Sequence, residues 1–180
     1  MSVTPQKVLQ TIKSPTPRYL CPLDANKYGV EFLKFVVADN DSKTVVYESP
    51  SLEGLSLADL PPVENEDQLR SVKYTFPRNF LKFNTVRTAL EFKIGPQPLN
   101  DFRMIELHYF KNKLVRTYDF SFGFCIPNSV NTWEAIYDLP EYKDDQILEY
   151  VKNPYGHKSD SFYFVGQELI MHNKAEYQYV

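Results

Sequence analysis

Leu114-Val115-Arg116-Thr117-Tyr118-Asp119-Phe120-Ser121-Phe122-Gly123-Phe124-Cys125 is the stretch whose reading decides the fold. Read with a period of two, it places Leu114, Arg116, Tyr118, Phe120, Phe122 and Phe124 on one face. Asp119, Ser121, Gly123 and Cys125 fall on the other, as in a long strand with one side turned to a core. Four consecutive aromatics make a broad apolar wall. Such a wall packs an ordinary aromatic core, or its flat rings line a slot for a straight hydrocarbon chain; the strand alone allows both readings.

Working outward, the segment Phe102–Phe110 is a second strand, joined to the first by a turn at Asn112. One of its faces is Phe102, Met104, Glu106, His108 and Phe110, which sets a carboxylate and an imidazole among apolar side chains. A buried carboxylate costs several kcal/mol unless it finds partners. Glu106 therefore pairs with His108 or an arginine, faces water, or is kept in an apolar cavity for the N–H groups of a ligand. Before these strands come further alternating runs. Phe32, Leu33, Phe35, Val36 and Val37 read as a largely buried strand, Asp39-Asn40-Asp41-Ser42 is turn chemistry, and Thr44–Glu48 completes a hairpin. Val72, Tyr74 and Phe76 alternate with polar residues, as do Thr88, Leu90, Phe92 and Ile94. After them, Ser161–Val165, Leu169–His172 and Ala175–Tyr179 finish the chain as strands.

Two helices are expected. Thr4-Pro5 opens a short one, with Thr4 as cap, Pro5 at the first helical position and Val8, Leu9 and Ile12 as its apolar stripe. Asp144–Lys152 is the internal one, with acidic residues in its first turn, stopped by Asn153-Pro154. Ser49–Gln68 is acidic, proline-containing and aperiodic, hence a solvated loop. Eight or nine strands at hairpin spacing with little helix predict an antiparallel sandwich or barrel. The chain divides into an N-terminal arm, residues 1–17, and one β-domain, residues 18–180.

Composition sets bounds on function. With 180 residues and 43% hydrophobic content the chain buries a sizeable core. A net charge of −3 argues against a nucleic-acid partner, which calls for a concentrated basic face. Cys21 and Cys125 form no motif, and a reducing, cytoplasmic compartment is the simple expectation. No secretory signal is apparent, and no apolar run approaches the ~20 residues of a bilayer span. Position 2 is Ser, so the chain is not itself a myristoylation substrate, and any membrane contact goes through a partner. No GxSxG, HExxH, Walker or GxGxxG motif is present, and His108, His157 and His172 show no ligand spacing. No enzyme, no metal and no cofactor are expected.

Several blocks carry a resemblance. They are Tyr19-Leu20-Cys21-Pro22, Asn100–Glu106 with His108-Tyr109-Phe110, and Phe122–Ser129 followed by Asn131-Thr132 and Ile136-Tyr137-Asp138. Ser159–Val165 with Met171–Ala175 completes the set. In order and spacing they resemble the Unc-one-nineteen family, the myristoyl-binding branch of the superfamily that also holds the delta subunit of photoreceptor cGMP phosphodiesterase. The resemblance runs from about Pro5 to Tyr179. It implies an all-β, immunoglobulin-like antiparallel sandwich whose sheets enclose an apolar lipid pocket. It further implies a carrier that sequesters the N-terminal myristoyl or lauroyl chain of G-protein α subunits and ciliary proteins. A GTP-bound Arf-like small GTPase is the release factor, and the cilium a destination. By resemblance Tyr74, Glu106 and Tyr163 lie near the acylated glycine, and Phe32, Phe35, Phe92, His108, Tyr118, Phe120 and Phe122 form the pocket wall. Three features depart from the family. Leu107 replaces a usual arginine, on what is expected to be a partner-facing surface, and Trp133 stands where a small residue is common. The long N-terminal extension of vertebrate members is missing. The competing readings are a prenyl carrier and a ligand-free immunoglobulin-like interaction module with a filled core.

Overall fold

The strands of this chain are β1 (Glu31–Asp39), β2 (Val45–Glu48), β3 (Ser71–Phe76), β4 (Thr85–Lys93) and β5 (Leu99–Phe110), then β6 (Lys113–Cys125), β7 (Val130–Asp138), β8 (His157–Val165) and β9 (Glu168–Tyr179). In the computed structural model, which describes residues 2–55 and 59–180, they form two sheets. One has the order β2-β1-β4-β7, the other β3-β9-β8-β5-β6. Every pairing is antiparallel except β3 with β9, which runs parallel. The two sheets face each other as a sandwich, and a core of Val37, Phe76, Phe92, Phe102, Trp133 and Tyr163 draws on both.

Local chemistry explains the parts the sequence predicts. The β1–β2 turn closes because Asp39 accepts hydrogen bonds from the Asp41 and Ser42 amides and the Ser42 hydroxyl. The N-terminal helix α1 spans Pro5–Thr11, with the Thr4 hydroxyl accepting from the Lys7 amide. The internal helix spans Asp144–Lys152. A short helix not expected from sequence, α2 (Asp67–Arg70), ends the Ser49–Gln68 segment, so Asp144–Lys152 is α3 in chain order. Residues 56–58 of that loop lie outside the described residues. Arg70 in α2 is buried, donating to the His172 and Cys21 carbonyls while it lies 4.0 Å over the Tyr19 ring.

Three strand readings are corrected. Val130–Asp138, not expected as a strand, is β7. The chain's end is the single strand β9 where two were expected. In β6 the alternation fails after Phe122. Gly123 sits at φ +93° and the β5–β6 register shifts beside it. The following residues therefore swap sides: Phe124, expected inward, is 60% exposed, and Cys125, expected outward, is 1% exposed.

The N-terminal arm packs against the domain. Val8, fully buried, joins Ile105, Leu107, Tyr109, Phe162 and Phe164 in a second apolar cluster on the outer face of β5 and β8. Leu107 is thus 1% exposed beneath the arm, which corrects its expected place on a partner-facing surface. Asp160 fastens the arm by accepting from the Thr16 amide, the Tyr109 hydroxyl, His172 Nε2 and Lys174 Nζ.

Candidate functional site

Between the sheets the side chains leave a cavity of about 290 Å³. Its first wall comes from β1, β4 and β7, through Phe32, Phe35, Val86, Leu90, Trp133 and Tyr137. A register shift between Phe32 and Lys34 lets Phe32 and Phe35, three apart, face the same space. The opposite wall comes from β3, β5, β6, β8 and β9, including Tyr74, Met104, Glu106, His108, Tyr118 and Tyr163. At one margin the edge strands β2 and β3 meet through Tyr47 and Tyr74, whose ring centroids are 4.9 Å apart. Val72 beside them is 43% exposed, the highest exposure of any lining side chain, so the mouth lies along this margin. The other margin is shut by β6 against β7, where Tyr118 and Phe120 stack edge-on to Tyr137.

Glu106 is the carboxylate that lines this apolar space. Its oxygens accept from His108 Nε2 at 2.5 Å, the Tyr137 hydroxyl at 3.3 Å and the Ser161 hydroxyl at 3.4 Å. The chain continues inward. His108 Nδ1 lies 2.8 Å from His157 Nε2, and His157 Nδ1 lies 2.7 Å from the Tyr179 hydroxyl. With both rings neutral, His108 donates to the carboxylate from Nε2, its Nδ1 accepts from His157 Nε2–H, and His157 Nδ1 accepts from the Tyr179 hydroxyl. This agrees with burial, which pushes the His108 pKa down against the pull of Glu106 and pushes His157 well below the usual range. Burial, and then the charge of Glu106, raises the phenols of Tyr137, Tyr163 and Tyr177, so all three remain protonated. Glu106 thus sits among the neutral donors His108, Tyr137 and Ser161 in a largely aromatic cavity that the basic side chains of Arg116 and Lys174 also line.

The expected residues divide by depth. Tyr74, Glu106, Tyr163, Phe32, Phe35, His108 and Tyr118 all line the cavity. Phe92, Phe120 and Phe122 do not. Phe122 and Phe92 pack on each other at 5.4 Å and on Trp133, whose ring occupies the space before them. Phe120 lies behind Tyr137 at 5.0 Å. Reasoning from sequence missed Tyr137, His157, Tyr177 and Tyr179 as members of the site. His157 reaches His108 only through the β5–β8 register, which pairs His108 with Ser159 and Phe110 with His157. Its one local signal is its spacing of two from Ser159, on the inward face of β8. Among the described residues no His, Cys, Asp or Glu group is arranged to hold a metal ion. No helix there is long and apolar enough to cross a membrane.

A sandwich whose sheets part around an aromatic-rich cavity, open at one margin and lined by one carboxylate, defines a binding protein for an apolar ligand with a polar end. The comparisons agree on the kind. The family model described as the delta subunit of GMP phosphodiesterase matches residues 24–179. The chain is 44% identical to the protein unc-119 of Caenorhabditis briggsae over 177 residues, covering 98% of this chain and 80% of that protein. It is 44% identical to unc-119 homolog B of Danio rerio, covering 98% and 74%. The human unc-119 homolog B is 40% identical, covering 99% and 72%. The chain belongs to the unc-119 family, within the group defined by that delta subunit.

Proposed function

We propose that this protein is a carrier that withdraws the N-terminal myristoyl or lauroyl chain of other proteins from membranes and moves them through the cytoplasm. G-protein α subunits and ciliary proteins are the cargo class, and a GTP-bound Arf-like small GTPase is the release factor. The observation that carries the reading is Glu106: a carboxylate held by His108, Tyr137 and Ser161 within a largely apolar, aromatic-rich cavity that Tyr74 also lines. An acyl chain fills the apolar space, and the amide N–H groups of the first residues find Glu106 as acceptor. A prenyl group brings a thioether and a C-terminal ester or carboxylate, which offer that acceptor no N–H at the same place.

The energetics suit carriage. A myristoyl chain has about 13 carbons beyond its carbonyl, and at ~0.8 kcal/mol per CH₂ its burial gives roughly 10 kcal/mol before ordering costs. The same chain alone holds a membrane at only about 10⁴ M⁻¹. Tight sequestration makes dissociation slow, which is why an effector that lowers cargo affinity is part of the proposal. The test is titration with fluorescent N-terminal peptides bearing myristoyl, farnesyl or no lipid, with and without a GTP-loaded Arf-like protein. Sub-micromolar binding of the myristoyl peptide alone, relieved by the GTPase, is expected. Equal binding of the bare peptide would sink the reading.

A further inference from the structure

One end of the cavity stops abruptly, and the stop is a single side chain. On β4 and β7 the lining ends at the cross-strand pair Leu90 and Trp133, and on β5 it ends at Met104; on β1 it reaches Phe32, which pairs with Phe92. One inward position further on, β4 offers Phe92 and β5 offers Phe102, both fully buried and neither in the lining. Trp133 touches both regions. It faces the cavity, and its ring lies 5.2 Å from Phe102 and 5.3 Å from Phe122. With Phe92 packed on Phe102 and Phe122 at 5.5 and 5.4 Å, these rings form a solid aromatic plug, and Trp133 is its exposed surface.

We infer that Trp133 is the floor of the acyl site and sets the longest chain the carrier accepts. The inference rests on the carrier reading above and specifies its ligand. An interior packed to crystal-like density does not yield gradually, so a chain reaching the indole meets a wall. Up to that length each added CH₂ raises affinity about fourfold, from 0.8 kcal/mol per group. Beyond it, the next carbon must bend back, displace the indole or stay outside the mouth, and the gain ends. Phe92, Phe102 and Phe122 cannot act as the floor while Trp133 covers them. Their rings would become cavity lining if it were smaller. An aromatic side chain buries 150–250 Å² and a CH₂ about 30 Å². Removing the whole ring would on this measure free the surface of about five to eight CH₂ groups, and a replacement side chain that keeps part of the bulk frees fewer.

The experiment is a length series: one N-terminal peptide acylated with 8, 10, 12, 14, 16 or 18 carbons, titrated against wild type, Trp133→Leu and Trp133→Ala. Trp133→Leu keeps the core apolar and is the variant to trust if Trp133→Ala proves unfolded by near-UV circular dichroism. Wild-type affinity is expected to climb and then break within the series. In the variants the break is expected to move to chains at least two carbons longer, with affinity for the shortest peptides unchanged or lower. A folded variant whose break coincides with that of wild type overturns the role of Trp133 and leaves the carrier reading standing. So does a wild-type series that climbs through 18 carbons. Failure of every acyl length to bind any of the proteins overturns the carrier reading, and this inference falls with it.

Discussion

Acid should weaken this protein through the protonation of Asp160. The side chain is 1% exposed. Its oxygens accept from His172 Nε2 at 2.8 Å, Lys174 Nζ at 2.7 Å, the Tyr109 hydroxyl at 2.9 Å and the Thr16 amide at 3.1 Å. Burial by itself raises a carboxyl pKa. Here the hydrogen bonds from His172 and Lys174, and the Lys174 charge, outweigh burial and hold Asp160 at about 2 against an ordinary 3.8. His172 acts as a neutral donor, since burial lowers its own pKa and its Nδ1 accepts from the Leu20 amide. A carboxyl depressed by folding contributes stability above its unfolded value and loses it as pH falls through the folded one. The loss therefore runs from about pH 4 to pH 2. Its size is about 2.5 kcal/mol, from 1.36 kcal/mol per pKa unit. Asp160→Asn places an amide N–H₂ among five donors, the Thr16 hydroxyl included, and leaves the Lys174 charge without its partner, at a cost of about 3–5 kcal/mol near neutrality. Urea unfolding of both proteins at intervals from pH 2 to pH 7 measures this. The two stability curves should lie furthest apart above pH 4 and converge by about 2.5 kcal/mol toward pH 2. Parallel curves across that window would refute the assignment of acid sensitivity to Asp160.

Two further substitutions test the site and the strand that closes it. Glu106→Gln keeps shape but exchanges a charged acceptor for a neutral one, so acyl-peptide affinity should fall about 5- to 30-fold, as expected for losing about 1–2 kcal/mol of charge assistance. The unfolding midpoint should hold or rise, because a carboxylate is removed from a largely apolar cavity; an unchanged peptide affinity would count against Glu106 as acceptor. Gly123→Ala meets no atom within 4 Å of the new Cβ, yet φ is +93° there. It should cost about 1–2 kcal/mol of stability through the backbone alone. Native-state thiol labelling of Cys125 should stay slow in that variant, and rapid labelling would show that the β6 bulge has been lost.

Short-range chemistry made part of the fold legible. Asp39-Asn40-Asp41-Ser42 closes its hairpin with its own side chains, and Thr4-Pro5 opens its helix in the same local way. β7 was illegible because its sides are chemically mixed. Val130 and Ile136 face outward while Asn131 and Ala135 face inward, so hydrophobicity does not alternate along it. Gly123 shows the limit of a period-two reading, which holds only while the backbone stays extended. The wall residues show a different limit. Periodicity assigned Phe92 and Phe122 to the correct side of their sheets. It carries no information on depth along the core, and there the bulk of Trp133 decides which ring meets the cavity. His157 needed register: nothing within its own segment announces that it continues a hydrogen-bonded line from Glu106 to Tyr179.

The placement of the N-terminal arm follows from the same division of labour between faces. A sandwich that leaves about 290 Å³ unfilled forgoes packing its own core would otherwise supply, up to about 7 kcal/mol at 24 cal/mol per Å³. The two strands that carry most of the polar site, β5 and β8, offset this on their other side. Where Glu106 and His108 face inward on β5, Ile105, Leu107 and Tyr109 face outward and are covered by the arm through Val8. On β8, Ser159 and Ser161 face the cavity while Asp160 and Phe162 turn to the arm. A strand packed on both faces has no freedom to twist its inner residues away from one another. The Glu106–His108–His157–Tyr179 line depends on that constraint, since its bonds of 2.5–2.8 Å span two strands and a third. The arm is therefore part of what keeps the carboxylate aimed into the cavity, although none of its residues lines the site.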